Sequence, residues 1–505
     1  MKPFGTSLAI AFVLLSAFCT QAQTADRAAA DSAEKIQQVE KNLVPLKRSD
    51  SLETWTLQQR MSYYRVKGVS IAVIENYKLA WAKGYGMADD ELKIPVTDQT
   101  LFQAASISKS LNAVGVLKLV QEKKLSINAD INTYLHDSGN NGFGANQSNW
   151  KFPYDSLSGG KKITIANLLT HTAGLSVHGF AGYEKGSDIP NIVQVLNGTP
   201  PANSKPVRSM YPPGEKFEYS GGGIAITQLI VTNVTHEPYE KFMYDNVLAP
   251  MDMTSSSFSQ FPARDKRKLY ATGYNTDGKA IDGRYHIYPE MAAAGLWTNP
   301  TDLAKYIIET QLAYEGKSAK VLNQQMTQIR LTPYIDDKAA LGVFIEGDDN
   351  AKYFSHGGAN EGFRSQYYGS FDGGNGVVVM VNSDNGNIIP EIVNSVARVY
   401  GFKWLFHSQV TKPVQVAVAD NVLKSYTGKY EIDPGNVLTI TLDGAHKQLY
   451  GEVPGWSRFG LFPESDSKFV AREFDIEFEF VRDGQGRVVK AVIYQDGAHD
   501  ARKLN

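Results

Sequence analysis

The chain carries a single cysteine, Cys19, and that residue lies in the first two dozen positions. Disulfide scaffolding and thiol chemistry are therefore excluded from the rest of the protein. No long run of like charges occurs, and 51 Lys+Arg against 53 Asp+Glu leave a net charge of −2. Nothing electrostatic points to nucleic acid or an anionic membrane surface as partner. Past the N-terminus there is no stretch of 18 apolar residues, so no stable membrane span is expected. The 9 histidines form no His-Glu-x-x-His pattern and no carboxylate cluster, so neither a metal nor another cofactor is expected. A Gly-x-Ser-x-Gly elbow is also missing, which argues against an α/β-hydrolase.

What is present begins with MKPFGTSLAIAFVLLSAFCTQAQ. Lys2, an apolar stretch from Leu8 to Phe18, and small and polar residues ending at Ala22 form the pattern of a cleavable secretory signal over 1–22. The alternative is a buried core helix. Phe18 stands where a lipoprotein anchor at Cys19 wants Gly or Ala. The expected location is periplasmic or secreted.

With 505 residues, 42% of them hydrophobic, the chain can bury a large core and has length for more than one domain. Residues 23–60 read as a polar, helix-prone lead. In 61–411, VSIAVIE and LAWAKGYG flank a short turn and predict a strand pair. Helical patterns follow from Thr100, broken by a Gly/Asn/Ser-rich loop at 138–160. Strand patterns return at YFSHGG, FRSQYYGSF and GVVVMVNS. Strands at both ends with helices between predict an α/β arrangement, one sheet built from distant segments against a helical region. Residues 412–422 read as a linker. Beyond it, 423–505 hold eight short strand patterns, with Ile476, Phe478 and Phe480 alternating with acidic residues. That many strands in so short a segment suit a closed all-β barrel, which leaves no exposed edge.

Ser-x-x-Lys occurs at Ser32, Ser106, Ser148, Ser158 and Ser465, so the spacing alone carries no weight. Only Ser106 opens a long apolar-periodic run, in which Ile107, Leu111, Val114, Leu117 and Val120 predict the buried stripe of an amphipathic helix. Lys109 then lies one turn from Ser106 at the helix start, on the same face. A serine hydroxyl needs a base within hydrogen-bond reach, and a buried lysine amine can supply one. A helix N-terminus favours the negative charge that develops there.

With these motifs in order, the sequence resembles the penicillin-recognising serine hydrolases, in the branch related to class C β-lactamases. That branch includes D-aminopeptidases, esterases and low-molecular-weight penicillin-binding proteins. The resemblance runs from about Gly68 to Ser383 and is carried by GVSIAVIE, LFQAASISKSLNAV, ITIANLLTHTAGL, YPPGEKFEYSGGG, AAAGLWTNPTDLAKYI and SHGGANEGFRS. The segment opening YTGKYEIDPGNVLTIT resembles a lipocalin-like domain appended to such hydrolases. The resemblance implies that Ser106 is the nucleophile, Lys109 its base and Tyr219 the residue that hydrogen-bonds the nucleophile and passes its proton to the leaving group. It implies that His356 lines the site from the strand carrying Gly357 and Gly358. The backbone N–H groups of Ser106 and Ala359 then form an oxyanion hole.

Tyr219-Ser220-Gly221 departs from the family's Tyr-x-Asn, and the lost amide puts β-lactam recognition in doubt. Restoring Asn at Gly221 is expected to raise reactivity with acylamide β-lactams if the pocket is otherwise family-like. Arg364 is a candidate grip for a substrate carboxylate, with a surface ion pair as the alternative. His171 in THTAGL imitates a triad base but reads as structural, at a helix end stopped by Gly174. Asn299-Pro300-x-Asp302 reads as a helix cap. The expected activity is acyl-enzyme cleavage of small ester or peptide-like amide substrates. The alternatives are a true class C-like β-lactamase and a penicillin- or peptidoglycan-binding protein without turnover.

Overall fold

The computed structural model describes residues 30–44, 54–135, 150–261, 264–348, 350–403, 405, 416–433, 436–444, 447–453, 458–471, 476–494 and 498–504. The signal expected over 1–22, the loop segment 136–149 and the linker segment 412–415 lie outside them. One compact unit comprises Thr56–Phe406 with residues up to Asn42; a second comprises Leu43–Trp55 and the chain from His407.

In the first unit, the apolar strands β1 (Gly68–Glu75) and β2 (Lys78–Asp89) pair antiparallel around Asn76 and Tyr77. Both turn residues take left-handed φ, 55° and 61°, as a two-residue hairpin of matching twist demands. β3 (Ile94–Pro95) adds to the outer edge. On its other side β1 pairs with a strand some three hundred residues later, Val69 opposite Val381. The sheet is completed by β6 (Ala339–Ala340), β7 (Val343–Asp348), β8 (Ala351–Asn360), β9 (Phe363–Ser370) and β10 (Gly376–Val381), in the order β3-β2-β1-β10-β9-β8-β7-β6. The sheet built from distant segments is thus present. β6 and β7 have no counterpart in the sequence reading. A separate two-stranded sheet joins β4 (Phe102–Ala105) to β5 (Leu296–Thr298).

Helices pack on this sheet. Residues 30–41 form α1, and Leu57–Tyr63 form α2. Then come α3 (Ser108–Gln121), α4 (Ile165–Leu169), α5 (Gly221–Thr235), α6 (Met291–Ala294), α7 (Pro300–Tyr314) and α8 (Ile388–Tyr400). Asn299 caps α7 by accepting the Asp302 N–H at 2.8 Å, with Pro300 in the first turn, as expected.

The amphipathic reading of α3 needs correction. Ser108, Ser110 and Asn112, which look like a solvent face, are as buried as Leu111 and Leu117. Each polar group is satisfied by a neighbour: Ser108 Oγ accepts from Leu296 N–H, Ser110 Oγ donates to the Gly342 carbonyl, and Asn112 bonds Thr227 and Tyr239. From Ser108 to Leu117 the helix is buried all round, and only its last turn, with Lys118, Val120 and Gln121, is partly exposed.

The second unit holds α9 (Asp420–Tyr426), whose first residues fall in the expected linker, and a closed antiparallel barrel, β11–β18, over Gly428–Leu504. All eight predicted strands are there. Tyr430, Leu438, Leu461, Phe469, Phe478 and Phe480 fill its interior as a packed core.

Candidate active site

β4 runs buried into the core and ends at Ala105, whose φ of 50° turns the chain sharply. Ser106 follows in that turn, just ahead of α3 and not within it. Between Leu101 and Leu117 it is the only residue that is not fully buried. Lys109 N–H donates to the Ser106 carbonyl at 3.0 Å, which brings both side chains to the helix start. Lys109, 2% exposed, places Nζ 2.9 Å from Ser106 Oγ and 2.7 Å from the Ala293 carbonyl in α6. Gln228 on α5 steadies α6, donating to the Pro289 carbonyl and accepting from Ala292 N–H at 3.0 Å each.

Tyr219 stands in the chain leading into α5, and Lys109 Nζ lies 5.1 Å from the centroid of its ring. His356 on β8 faces Tyr219 with ring centroids 6.4 Å apart and packs on Phe344 at 5.3 Å. Its Nδ1–H donates to the Gly357 carbonyl at 2.6 Å, which leaves Nε2 as an acceptor. Burial, and then the Lys109 charge, push its pKa down to about 3. His356 is therefore a neutral imidazole at ordinary pH.

Ser106, Tyr219, His356, Gly357, Gly358, Ala359 and Arg364 line one open cleft of about 510 Å³, with Phe344, Gln366, Ile389 and Pro390. Its shape depends on Gly358. A Cβ there would sit 2.1 Å from the Ala104 carbonyl, so only glycine lets β8 pass this close to the strand that delivers Ser106. That approach carries Ala359 to the same cleft as Ser106. Arg364 Nη1 is engaged by Asp384 at 2.9 Å and by the carbonyls of Asn360 and Phe363.

Gly221 does not line the cleft. It is buried at the start of α5, where a Cβ would meet the His178 carbonyl at 2.9 Å and the Phe180 ring at 3.2 Å. His178 and Phe180 thus crowd the first atom of any side chain placed there. Gly221→Asn therefore requires the His178 carbonyl or the Phe180 ring to shift before its amide reaches a substrate.

The family model described as Beta-lactamase matches residues 56–392. The chain belongs to the Beta-lactamase family. Protein flp of Staphylococcus aureus (strain N315) is 26% identical over 388 residues, 75% of this chain and 70% of that protein. Penicillin-binding protein 4* of Bacillus subtilis (strain 168) is 20% identical over 450 residues, 85% of this chain and 93% of its own. The octameric penicillin-binding protein homologue from Pyrococcus abyssi has the same fold, with a TM-score of 0.58 at 21% identity over 88% of this chain and 98% of that one. The resemblance to penicillin-recognising serine hydrolases with an added lipocalin-like barrel thus holds for family and fold.

In this Beta-lactamase family member, His171 also reaches the site. α4 ends in two bonds, Thr172 N–H to the Asn167 carbonyl at 2.9 Å and His171 N–H to the Leu168 carbonyl at 3.4 Å. His171 itself takes a left-handed φ of 57° just past the end of α4, ahead of Gly174, which takes one of 66°. Its ring lies 4.3 Å from that of Tyr219, tilted by 31°. The residues are 48 positions apart in sequence, and no local pattern connects them. Among the described residues no group of His, Cys, Asp and Glu is placed to hold a metal ion, and no helix is long and apolar enough to cross a membrane.

Proposed function

We propose that this protein is a secreted serine hydrolase that forms an acyl-enzyme on Ser106 and cleaves small acyl esters or peptide-like amides. The observation that carries the reading is the 2.9 Å approach of Lys109 Nζ to the single accessible side chain of a buried segment. In its amine form, Lys109 keeps one N–H on the Ala293 carbonyl and turns its lone pair to the Ser106 hydroxyl. Ser106 Oγ attacks the substrate carbonyl carbon as its proton passes to Nζ. The oxyanion is held by the N–H groups of Ser106 and Ala359. Tyr219, beside Lys109, relays that proton to the departing alkoxide or amine, and water then hydrolyses the ester on Ser106. His356, neutral and with Nε2 free to accept, favours the hydroxyl form of a donor in the cleft.

Preference for small substrates rests on the region around Gly221, where the His178 carbonyl and the Phe180 ring occupy the room that a side chain reaching toward an acylamide arm would need. The name of the Bacillus subtilis relative, Penicillin-binding protein 4*, favours a second reading, a penicillin-binding protein. The N-terminal 22 residues are the proposed export signal.

Incubation with a fluorophosphonate and with a fluorescent penicillin, followed by intact mass, tests the nucleophile. A panel of short acyl esters, D-amino-acid amides and a cephalosporin tests the substrate class. Ester or amide turnover exceeding cephalosporin turnover supports the first reading. Faster cephalosporin hydrolysis sinks it, and stable penicillin adducts without turnover of any substrate establish the second.

A further inference from the structure

We propose that His171 is a positioning residue that orients Tyr219 for proton delivery to the leaving group. This rests on the hydrolase reading above.

Three contacts carry it. The His171 carbonyl accepts the Glu218 N–H at 2.8 Å, and its Nδ1 accepts the Ser220 N–H at 3.1 Å. The chain is therefore held on both sides of Tyr219 by a single residue. Between these two tethers the imidazole lies against the Tyr219 ring, while Phe217 meets its edge at 6.0 Å and 87°. A third tether comes from outside, where His178 Nδ1–H donates to the Tyr219 carbonyl at 2.6 Å.

Capping α4 does not require an imidazole. Gly or Asn fills a left-handed C-terminal position at least as well. What the ring adds is directed at Tyr219 and its chain neighbours Phe217 and Ser220. Since Nδ1 accepts, the proton of the neutral ring resides on Nε2. Burial, followed by the nearby charge of Lys109, holds the His171 pKa well below 6.5, which preserves that acceptor. Small displacements of a relaying group cost large factors in rate, so fixing the tyrosine has a kinetic consequence.

The test exploits the leaving group. A p-nitrophenolate departs without a proton, whereas an ethoxide needs one. His171→Phe keeps a ring and loses the acceptor. It is expected to lose about tenfold or more in kcat on an ethyl ester, while staying within about threefold on the p-nitrophenyl ester of the same acid and leaving KM unchanged. His171→Asn keeps a short polar acceptor and suits the left-handed backbone, so it folds even where the Phe variant fails; its ethyl-ester loss is expected to be smaller, with the same selectivity. In a Tyr219→Phe background neither variant is expected to cost anything further. Equal losses on both esters, no loss on either, or additive losses with Tyr219→Phe overturn the proposal and leave the hydrolase reading standing. If the wild-type protein cleaves neither ester, the hydrolase reading falls and this inference falls with it.

Discussion

Lys109 Nζ stands 2.9 Å from Ser106 Oγ because the Ala293 carbonyl, 184 positions further along the chain, holds it there at 2.7 Å. The pair is local in sequence, but its alignment is a long-range property of the fold.

Ser106→Ala is expected to abolish fluorophosphonate labelling, and Lys109→Ala to lower acylation by at least ~10²-fold, typical of losing a general base. Stopped-flow measurement of the acylation burst checks both. Normal acylation in Lys109→Ala removes the lysine from the mechanism.

Gly221→Asn is expected to lower the melting temperature and to leave cephalosporin reactivity low. The new Cβ would press on the His178 carbonyl at 2.9 Å, and backbone does not yield as a flexible side chain does. A stable variant with faster cephalosporin acylation refutes this account.

Acid should destabilise the protein over a defined window. In the unfolded chain a histidine titrates near pH 6.5. His356 falls to about 3 when folded, and His171 also lies well below 6.5. Between these limits the unfolded state binds more protons, so stability rises with pH up to about 6.5 and is lost on acidification toward 3. Urea titrations from pH 4 to 8 are expected to show this slope, shallower by about one proton in His171→Asn. A flat profile below pH 6.5 contradicts the neutral, buried histidines.

Arg60 on α2 and Glu391 on α8 form a buried two-pronged ion pair, Nε–Oε2 at 2.6 Å and Nη2–Oε1 at 2.5 Å, with Tyr64 donating to the same carboxylate at 2.7 Å. Removing one partner strands a buried charge, so Glu391→Ala is expected to cost about 3–5 kcal/mol. The double change Arg60→Met with Glu391→Leu is expected to cost much less. Chemical denaturation compares the three proteins, and equal losses in single and double variants would refute the pairing argument.

The barrel is expected to fold by itself, because its aromatic core lies wholly within 416–504. A chain of 416–505 should unfold cooperatively with β-type circular dichroism. A chain ending at Lys412 should keep fluorophosphonate labelling. An absence of labelling in a folded protein of that length makes the barrel part of the site.

Local pattern was enough for much of this protein. Strict alternation at Ile476, Phe478 and Phe480 announced a barrel strand, and two apolar runs around Asn76 announced the first hairpin. Asn299-Pro300-x-Asp302 announced the cap of α7. These signals are legible because each depends on residues within one turn or one strand of each other. The same holds for Ser106 and Lys109, which share a helix start.

Other features were decided by tertiary contact. Ser108, Ser110 and Asn112 look like a solvent face until distant partners, Leu296, Gly342, Thr227 and Tyr239, satisfy them in the core. Gly221 reads only as a missing side chain until the His178 carbonyl and the Phe180 ring are seen to crowd its Cβ position. His171 reads as the end of a helix until its ring is found on Tyr219, 48 residues away. Burial, close approach and stacking between distant segments leave no periodic trace in a sequence, so the residue types of this site are local information and its geometry is not.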